Sequence, residues 1–220
     1  MTVTPGRTQQ AKRARVLLAD DHSLVAAGLS KLLEAEFDLV GTVGDGRALV
    51  VAAKNTRPDV ILLDISMPIL NGLEAARQIR AALPECKIIF VTVHSDSAYV
   101  TEALRAGANG YVLKRSAASE LAVAIHEVLN NNLYITPLIN KQAVDGVLSA
   151  PGSQAPLLSA RQREVLQLVA EGHSAKKIGN ILNISSKTVE FHKGSIMKKL
   201  DIHSTAELTR YALEHGITGG

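Results

Sequence analysis

Four short apolar runs in the first half of the chain each deliver a reactive polar side chain at or just past their C-terminal end. Val16-Leu17-Leu18 leads to Asp20 and Asp21, and Val60-Ile61-Leu62-Leu63 leads to Asp64. Ile88-Ile89-Phe90-Val91 leads to Thr92, and Tyr111-Val112-Leu113 leads to Lys114. Runs this short and this apolar suit strands covered on both faces, the habit of parallel sheets. In open parallel α/β sheets, ligands gather outside the carboxyl ends of the strands. Three carboxylates, a hydroxyl and an ammonium converging there describe a Mg²⁺ site beside a phosphorylatable aspartate.

The rest of the front half fits such a sheet. Strands are expected over residues 16–20, 39–43, 60–64, 88–92 and 110–113. Amphipathic stretches with helical spacing lie over 23–34, 73–83, 99–106 and 119–130. Five βα units with right-handed crossovers give a doubly wound sheet with helices on both faces. The triplet Asn130-Asn131-Asn132 stops the last helix. Thr136-Pro137 then offers a cap and a first-turn proline, suggesting a short helix over 138–148. Residues 149–156, small and polar with two prolines, have linker composition.

From residue 157 the periodicity is purely helical. Ser159, with Gln162 three positions on, forms a capping box for a first helix ending at Gly172. Ser174 caps a second, and a tight Asn183-Ile184-Ser185 turn follows. Ser186 is expected to cap a third helix to about Lys199, and Ser204 a fourth to about His215. Two helices joined by a tight turn, with lysines on one side, read as helix-turn-helix. On the third helix Val189, Ile196 and Leu200 share an inward face. Lys187, Glu190, Phe191, Gly194, Ser195 and Lys198 share the outward one.

Charge divides along the same boundary. Residues 14–132 carry 11 Lys/Arg against 14 Asp/Glu, whereas residues 156–220 carry 9 against 6. Between His173 and Lys199 stand six lysines and one acid, Glu190, a density suited to phosphate contacts. The single cysteine, Cys86, precludes an internal disulfide and fits a reducing compartment. Residues 1–15 lack the apolar core of a secretory signal, and no apolar run is long enough to cross a bilayer. A cytoplasmic location without membrane contact is the expectation, with a basic tail over residues 1–14.

Each candidate residue alone has a plainer reading: Asp20 and Asp21 as a strand end and helix cap, Asp64 as a cap, Thr92 as a strand threonine, Tyr111 as core, Lys114 as solvated. Their joint placement at strand ends sets those readings aside. The segments VLLADD (16–21), VILLDISMPILNG (60–72), residues 90–92 and AGANGYVLK (106–114) resemble the receiver domain of bacterial response regulators over about residues 15–132. Ser159, Arg161, Glu164-Val165-Leu166, Ala170-Glu171-Gly172, Ile184-Ser185, Lys187-Thr188-Val189, His192 and Lys199-Leu200 resemble the LuxR-type DNA-binding domain over about 157–216. Joined, they resemble the NarL/FixJ subfamily, with residues 133–156 as linker.

The resemblance implies a flavodoxin-like (βα)5 receiver followed by a four-helix helix-turn-helix domain. It implies Asp64 as acceptor of phosphate from a sensor histidine kinase, and a protein that is no enzyme beyond self-phosphorylation and slow self-dephosphorylation. Asp20, Asp21, Asp64 and the Ser66 backbone carbonyl would hold Mg²⁺ (or Mn²⁺), and Thr92, Tyr111 and Lys114 would be switch and phosphate-contact residues. Thr92 would move toward the phosphoryl group, opening space for Tyr111 to turn inward. Many members have proline after this lysine; Arg115 stands here. Ser66 and His94, two residues past Asp64 and Thr92, are expected to flank the hydrolytic water and tune dephosphorylation. The third helix would enter the major groove of double-stranded DNA. Glu190 and Phe191 would meet bases, Lys187, Lys193 and Lys198 would meet phosphates, and Thr188 and Gly194 would lie in the same surface. A homodimer on DNA would pair through the last helix, at Leu208, Tyr211, Ala212 and Leu213.

Two other classes fit these residues less well. A metal-dependent phosphohydrolase usually carries a second acid two residues after the nucleophile, where Ser66 stands. A constitutive DNA-binding protein with an inert receiver does not need the intact acidic set with Thr92 and Lys114.

Overall fold

The computed structural model describes residues 13–139 and 158–218. Six parallel strands form one sheet: β1 (Arg15–Ala19), β2 (Asp38–Val43), β3 (Val60–Leu63), β4 (Lys87–Thr92), β5 (Gly110–Leu113) and β6 (Tyr134–Ile135). Their order is β2-β1-β3-β4-β5-β6. The strand order reverses between β1 and β3, whose ends are in register at Ala19 and Leu63. The crevice beyond that point therefore receives Asp20 and Asp64 side by side, as a doubly wound sheet requires.

Successive strand residues point to opposite faces, and each face has its own core. Leu17, Ile61, Leu63, Phe90 and Tyr111 pack against α2 (Gly46–Thr56), α3 (Gly72–Ala82) and α4 (Ser97–Arg105). Val16, Leu18, Leu62, Ile89 and Val112 pack against α1 (Ser23–Leu33) and α5 (Ala117–Leu129). The doubly wound sheet expected from the alternation, and the flavodoxin-like (βα)5 arrangement that the resemblance implies, are thus present. Helix α2 was not among the expected helices, although Asp45 caps it through Ala48 N and Leu49, Val50 and Ala53 repeat at helical spacing.

The sixth strand is a correction. Thr136-Pro137 does not simply open a helix, because the chain first runs along the edge of β5. Thr136 N donates to Tyr111 O (2.9 Å) and its Oγ1 accepts from Leu113 N (3.1 Å). Those bonds satisfy an otherwise open sheet edge. Residues 137–139 form a turn, and the rest of the helix expected over 138–148 lies outside the described residues.

The C-terminal unit comprises α6 (Ala160–Ala170), α7 (Ala175–Leu182), α8 (Ser186–Leu200) and α9 (Thr205–Glu214). Serines 159, 174, 185 and 204 cap them, each accepting from a backbone N–H three residues on. The cap of α8 is Ser185, one residue before the expected Ser186, because Asn183 turns left-handed and brings the chain round early. Val189 and Ile196 face the shared core with Leu166, Ile178 and Leu208, and Leu200 packs at its margin.

One glycine fixes the exit from the functional crevice. Gly72 opens α3 and donates to Ile65 O (2.8 Å); a Cβ there would overlap the Asp64 carbonyl. The obstacle is backbone, so it cannot swing away. Gly72→Ala is expected to destabilise the receiver by about 3 kcal/mol, at the upper end of overpacking costs, as read by urea denaturation.

Candidate functional site

The site assembles from loops that the strands aim into one crevice. Asp20 and Asp64 are buried there, while Asp21 stays exposed at the rim. Lys114, first residue of a single 3₁₀ turn after β5, reaches back between them. Its Nζ lies 2.7 Å from Asp64 Oδ2 and 2.8 Å from Asp20 Oδ2, with its side chain only 11% exposed. Burial alone would lower this lysine, but bonds to Asp20 and Asp64 outweigh it and raise it above the usual value. Asp64 Oδ1 accepts from Ile65 N (2.7 Å), which fixes the carboxylate plane.

Carboxylate oxygens of Asp20, Asp21 and Asp64 and a ring nitrogen of His22 lie within 4.8 Å of one another. Hard oxygen donors, two buried and one exposed to water, form a donor set that suits a small divalent cation. His22 was not singled out from sequence. It sits 2.8 Å from Asp21 Oδ1, and the only earlier signal was its adjacency to the acidic pair.

Ser66 and His94 meet across the crevice mouth, Oγ to Nε2 at 3.0 Å. The His94 ring stacks on Tyr99 at 4.1 Å, and its carbonyl accepts from the Tyr111 hydroxyl at 2.9 Å. Burial lowers His94 from the ordinary histidine value; Asp64 opposes this and Lys114 adds to it. Tyr111 is already fully buried, and burial is the main cause that raises its phenol. The inward turn anticipated on phosphorylation is therefore already made in this structure, because the hydroxyl finds an acceptor in the β4–α4 loop. Thr92 is buried beside it.

The second candidate surface is α8. Lys187, Glu190, Gly194 and Lys198 are exposed, and Phe191 is 73% exposed, unusual for so large a ring. Thr188 and Lys193 are half-buried, Thr188 with its hydroxyl 2.7 Å from Ser185 Oγ. A Cβ on Gly194 would meet nothing within 4 Å, so the middle of this face is flat and open. Lys176 and Lys177 on α7 extend the positive charge.

The α9 expectation needs correction. Leu208 and Ala212 are completely buried in their own domain, and α9 packs closely on α6. They cannot face a second copy without opening that core. Tyr211 is half-buried and stacks on His215 at 3.9 Å, and Leu213 remains exposed.

The two domains touch, and sequence reading missed the residues that join them. Gln167 on α6 is buried; its Nε2 donates to Met67 O (2.9 Å) and its Oε1 accepts from Asn71 N (2.7 Å). Arg163 pairs with Glu74 at 2.7 Å, and Glu164 with Arg47 at 3.5 Å. On a helical wheel Arg163, Gln167 and Glu171 look like a solvated stripe, so periodicity alone hides their burial.

A parallel sheet whose crevice gathers this acidic cluster, followed by a helix-turn-helix, defines the class. Residues 16–126 match the response regulator receiver domain, and residues 156–212 match the bacterial regulatory proteins of the luxR family. The chain belongs to the LuxR-family response regulators, as a DNA-binding transcriptional regulator of the two-component type. It is 36% identical over 211 residues to the oxygen regulatory protein NreC of Staphylococcus epidermidis, covering 91% of this chain and 97% of that one. Its fold is similar to the RcsB response regulator of Salmonella typhimurium, with TM-score 0.63, 27% identity, and coverage of 93% of this chain and 99% of that one. An RcsB–DNA complex is similar with TM-score 0.55, 30% identity, and coverage of 93% and 99%. Among the described residues no helix is long and apolar enough to cross a membrane.

Proposed function

We propose that this protein is a cytoplasmic transcription regulator switched when Asp64 accepts a phosphoryl group from a sensor histidine kinase. The observation that carries this reading is the Lys114 ammonium clamped between two buried carboxylates, with Asp21 at the rim. Asp64 Oδ2 attacks phosphorus, the bond to the donor nitrogen breaks, and an acyl phosphate forms. Lys114 follows the new phosphoryl oxygens while remaining near Asp20. Thr92 donates its hydroxyl to another of those oxygens. Asp20, Asp21, Asp64 and the Ser66 carbonyl would hold Mg²⁺ (or Mn²⁺), which would supply positive charge to offset that of the phosphoryl oxygens. The test is intact mass after incubation with Mg²⁺ and a small phosphodonor. One added phosphoryl group supports the reading; a chain that gains none from either a small donor or a cognate kinase removes it.

Ser66 and His94 set the acyl phosphate lifetime by holding the hydrolytic water. Their 3.0 Å contact and the burial that disfavours a charged imidazole support that role. Ser66→Ala and His94→Ala are each expected to change the dephosphorylation rate about tenfold, followed as loss of the phosphorylated mass with time. Unchanged rates in both would remove it.

Helix α8 enters the major groove, with Glu190 accepting from a cytosine amine and Phe191 against a thymine methyl. Thr188 stiffens the entry to this surface through Ser185. Gly194 costs about 1 kcal/mol of helix propensity relative to alanine and admits close backbone approach. Lys187, Lys193 and Lys198 hold phosphates, so Lys187→Ala should weaken all duplexes alike and lower the salt slope by about one, in titrations at several salt concentrations. A changed sequence preference would refute that assignment. Two copies bind paired half-sites through the outer face of α9, where Leu213 and half-buried Tyr211 remain available once Leu208 and Ala212 are set aside.

A further inference from the structure

The acidic cluster carries a nitrogen that the phosphorylation chemistry does not use. Asp45, Asn71 and Asp96 cap α2, α3 and α4 through their side chains, whereas His22 holds the same position at α1 and makes no side-chain cap bond. Its ring turns to the acids instead. Nδ1 lies 2.8 Å from Asp21 Oδ1 and 3.3 Å from Asp20 Oδ1. The backbone supports that direction, since His22 N donates to the same Asp20 Oδ1 (2.9 Å). Lys114 occupies the other side, against Asp20 Oδ2 and Asp64 Oδ2. Asp20 thus presents one oxygen to an ammonium and the other to an imidazole. Asp21 and His22 also line the cavity of about 450 Å³ at the crevice mouth, which leaves room for the waters that a bound cation retains.

We propose that His22 is a nitrogen ligand of the crevice cation and biases the site toward borderline first-row ions, Ni²⁺, Co²⁺ and Zn²⁺, beyond what its carboxylates alone would give. This rests on the cation site proposed above. Two neighbouring ligands on a six-coordinate ion with bonds of about 2.1 Å stand about 3 Å apart. The separations of His22 Nδ1 from Asp21 and Asp20, 2.8 and 3.3 Å, match that edge. The ion takes the place of a hydrogen between Nδ1 and the acids, and the neutral ring keeps its hydrogen on Nε2. Mg²⁺ is hard and gains little from exchanging a water for an imidazole. For Ni²⁺ and Zn²⁺ imidazole is a preferred donor. The plainer role, an exposed histidine paired with Asp21 at a helix start, predicts no difference between ions.

The test is calorimetric titration of the full-length chain with Ni²⁺ and with Mg²⁺, beside His22→Ala and His22→Ser. Serine supplies a capping hydroxyl for α1, so a loss shared by both variants is not a loss of the helix start. Expected is a Ni²⁺ ion on the wild type that excess Mg²⁺ displaces. In both variants Ni²⁺ affinity should fall about tenfold or more, with Mg²⁺ affinity within about twofold of wild type. Equal losses for both ions would mean that His22 only places the acids, and would overturn the proposal. No Ni²⁺ bound, or a Ni²⁺ affinity unchanged in the variants, would overturn it too. So would Ni²⁺ that Mg²⁺ does not displace, because that ion would sit on other histidines. If the wild type binds no Mg²⁺, the cation-site reading itself fails and takes the proposal with it.

Discussion

Asp64→Asn is expected to take up no phosphoryl group from Mg²⁺ and a small phosphodonor, under conditions where the wild type gains one, as read by intact mass. The reason is electronic as well as positional. A carboxylate carries full charge on two oxygens, whereas an amide oxygen is a poor nucleophile and the amide nitrogen has no free pair to offer. Position is largely kept, since the asparagine oxygen can still accept from Ile65 N, as Asp64 Oδ1 does at 2.7 Å. The amide nitrogen, however, would face Lys114 Nζ where Asp64 Oδ2 stood at 2.7 Å. Two donors then meet, and the variant should lose about 1–3 kcal/mol of stability unless the lysine turns wholly to Asp20. A gain of phosphate by the variant would place the acceptor elsewhere. Uptake confined to the wild type, with DNA binding unaffected by the donor in the variant, would separate a true switch from a constitutive module.

Lys114→Met is expected to lower the stability of the metal-free protein by about 3 kcal/mol or more, the usual result of removing one partner from a buried charge pair. Two buried carboxylates would face each other with no cation between them. Saturating Mg²⁺ should recover much of the loss and stabilise the variant more than the wild type, because in the wild type the ammonium already occupies that field. Thermal melts with Mg²⁺ and with chelator would show it. Lys114 is held above the ordinary lysine value, so its contribution is complete below about pH 10 and fades only as pH rises beyond that. The defect should therefore be flat between roughly pH 6 and 9. Equal loss with and without the metal would deny that these carboxylates form a cation site.

The receiver crevice was legible in the chain because its chemistry is written at strand ends. A run such as Val60–Leu63, short, β-branched and bounded by Pro58 and Asp64, suits a covered strand, and the residue after it emerges at the rim, so Asp64, Asp20, Thr92 and Lys114 lie at the same end once the sheet is parallel. The caps at Ser159, Ser174 and Ser204 were legible for a similar reason, as serine before a helical period has one strong local use, whereas with two adjacent serines the cap of α8 fell on Ser185 and not Ser186. The inward face of α8 followed from a period of 3.6 residues.

What local pattern could not reach are contacts between segments far apart in the chain. Gln167 and Asn71 are 96 residues apart, and nothing in the α6 stripe tells a polar face meeting water from one meeting backbone groups of another domain. Leu208 and Ala212 read as apolar on a short helix, which suits a dimer face and a domain core equally; only the packing of α9 on α6 chose the core. The strand at Tyr134–Ile135 is two residues long, below any periodic signal, and exists because β5 had an edge to fill. Strand ends and caps are local consequences of backbone geometry, so the candidate groups could be read along the chain. Which faces remain free depends on where distant surfaces meet, and only the packed molecule shows that.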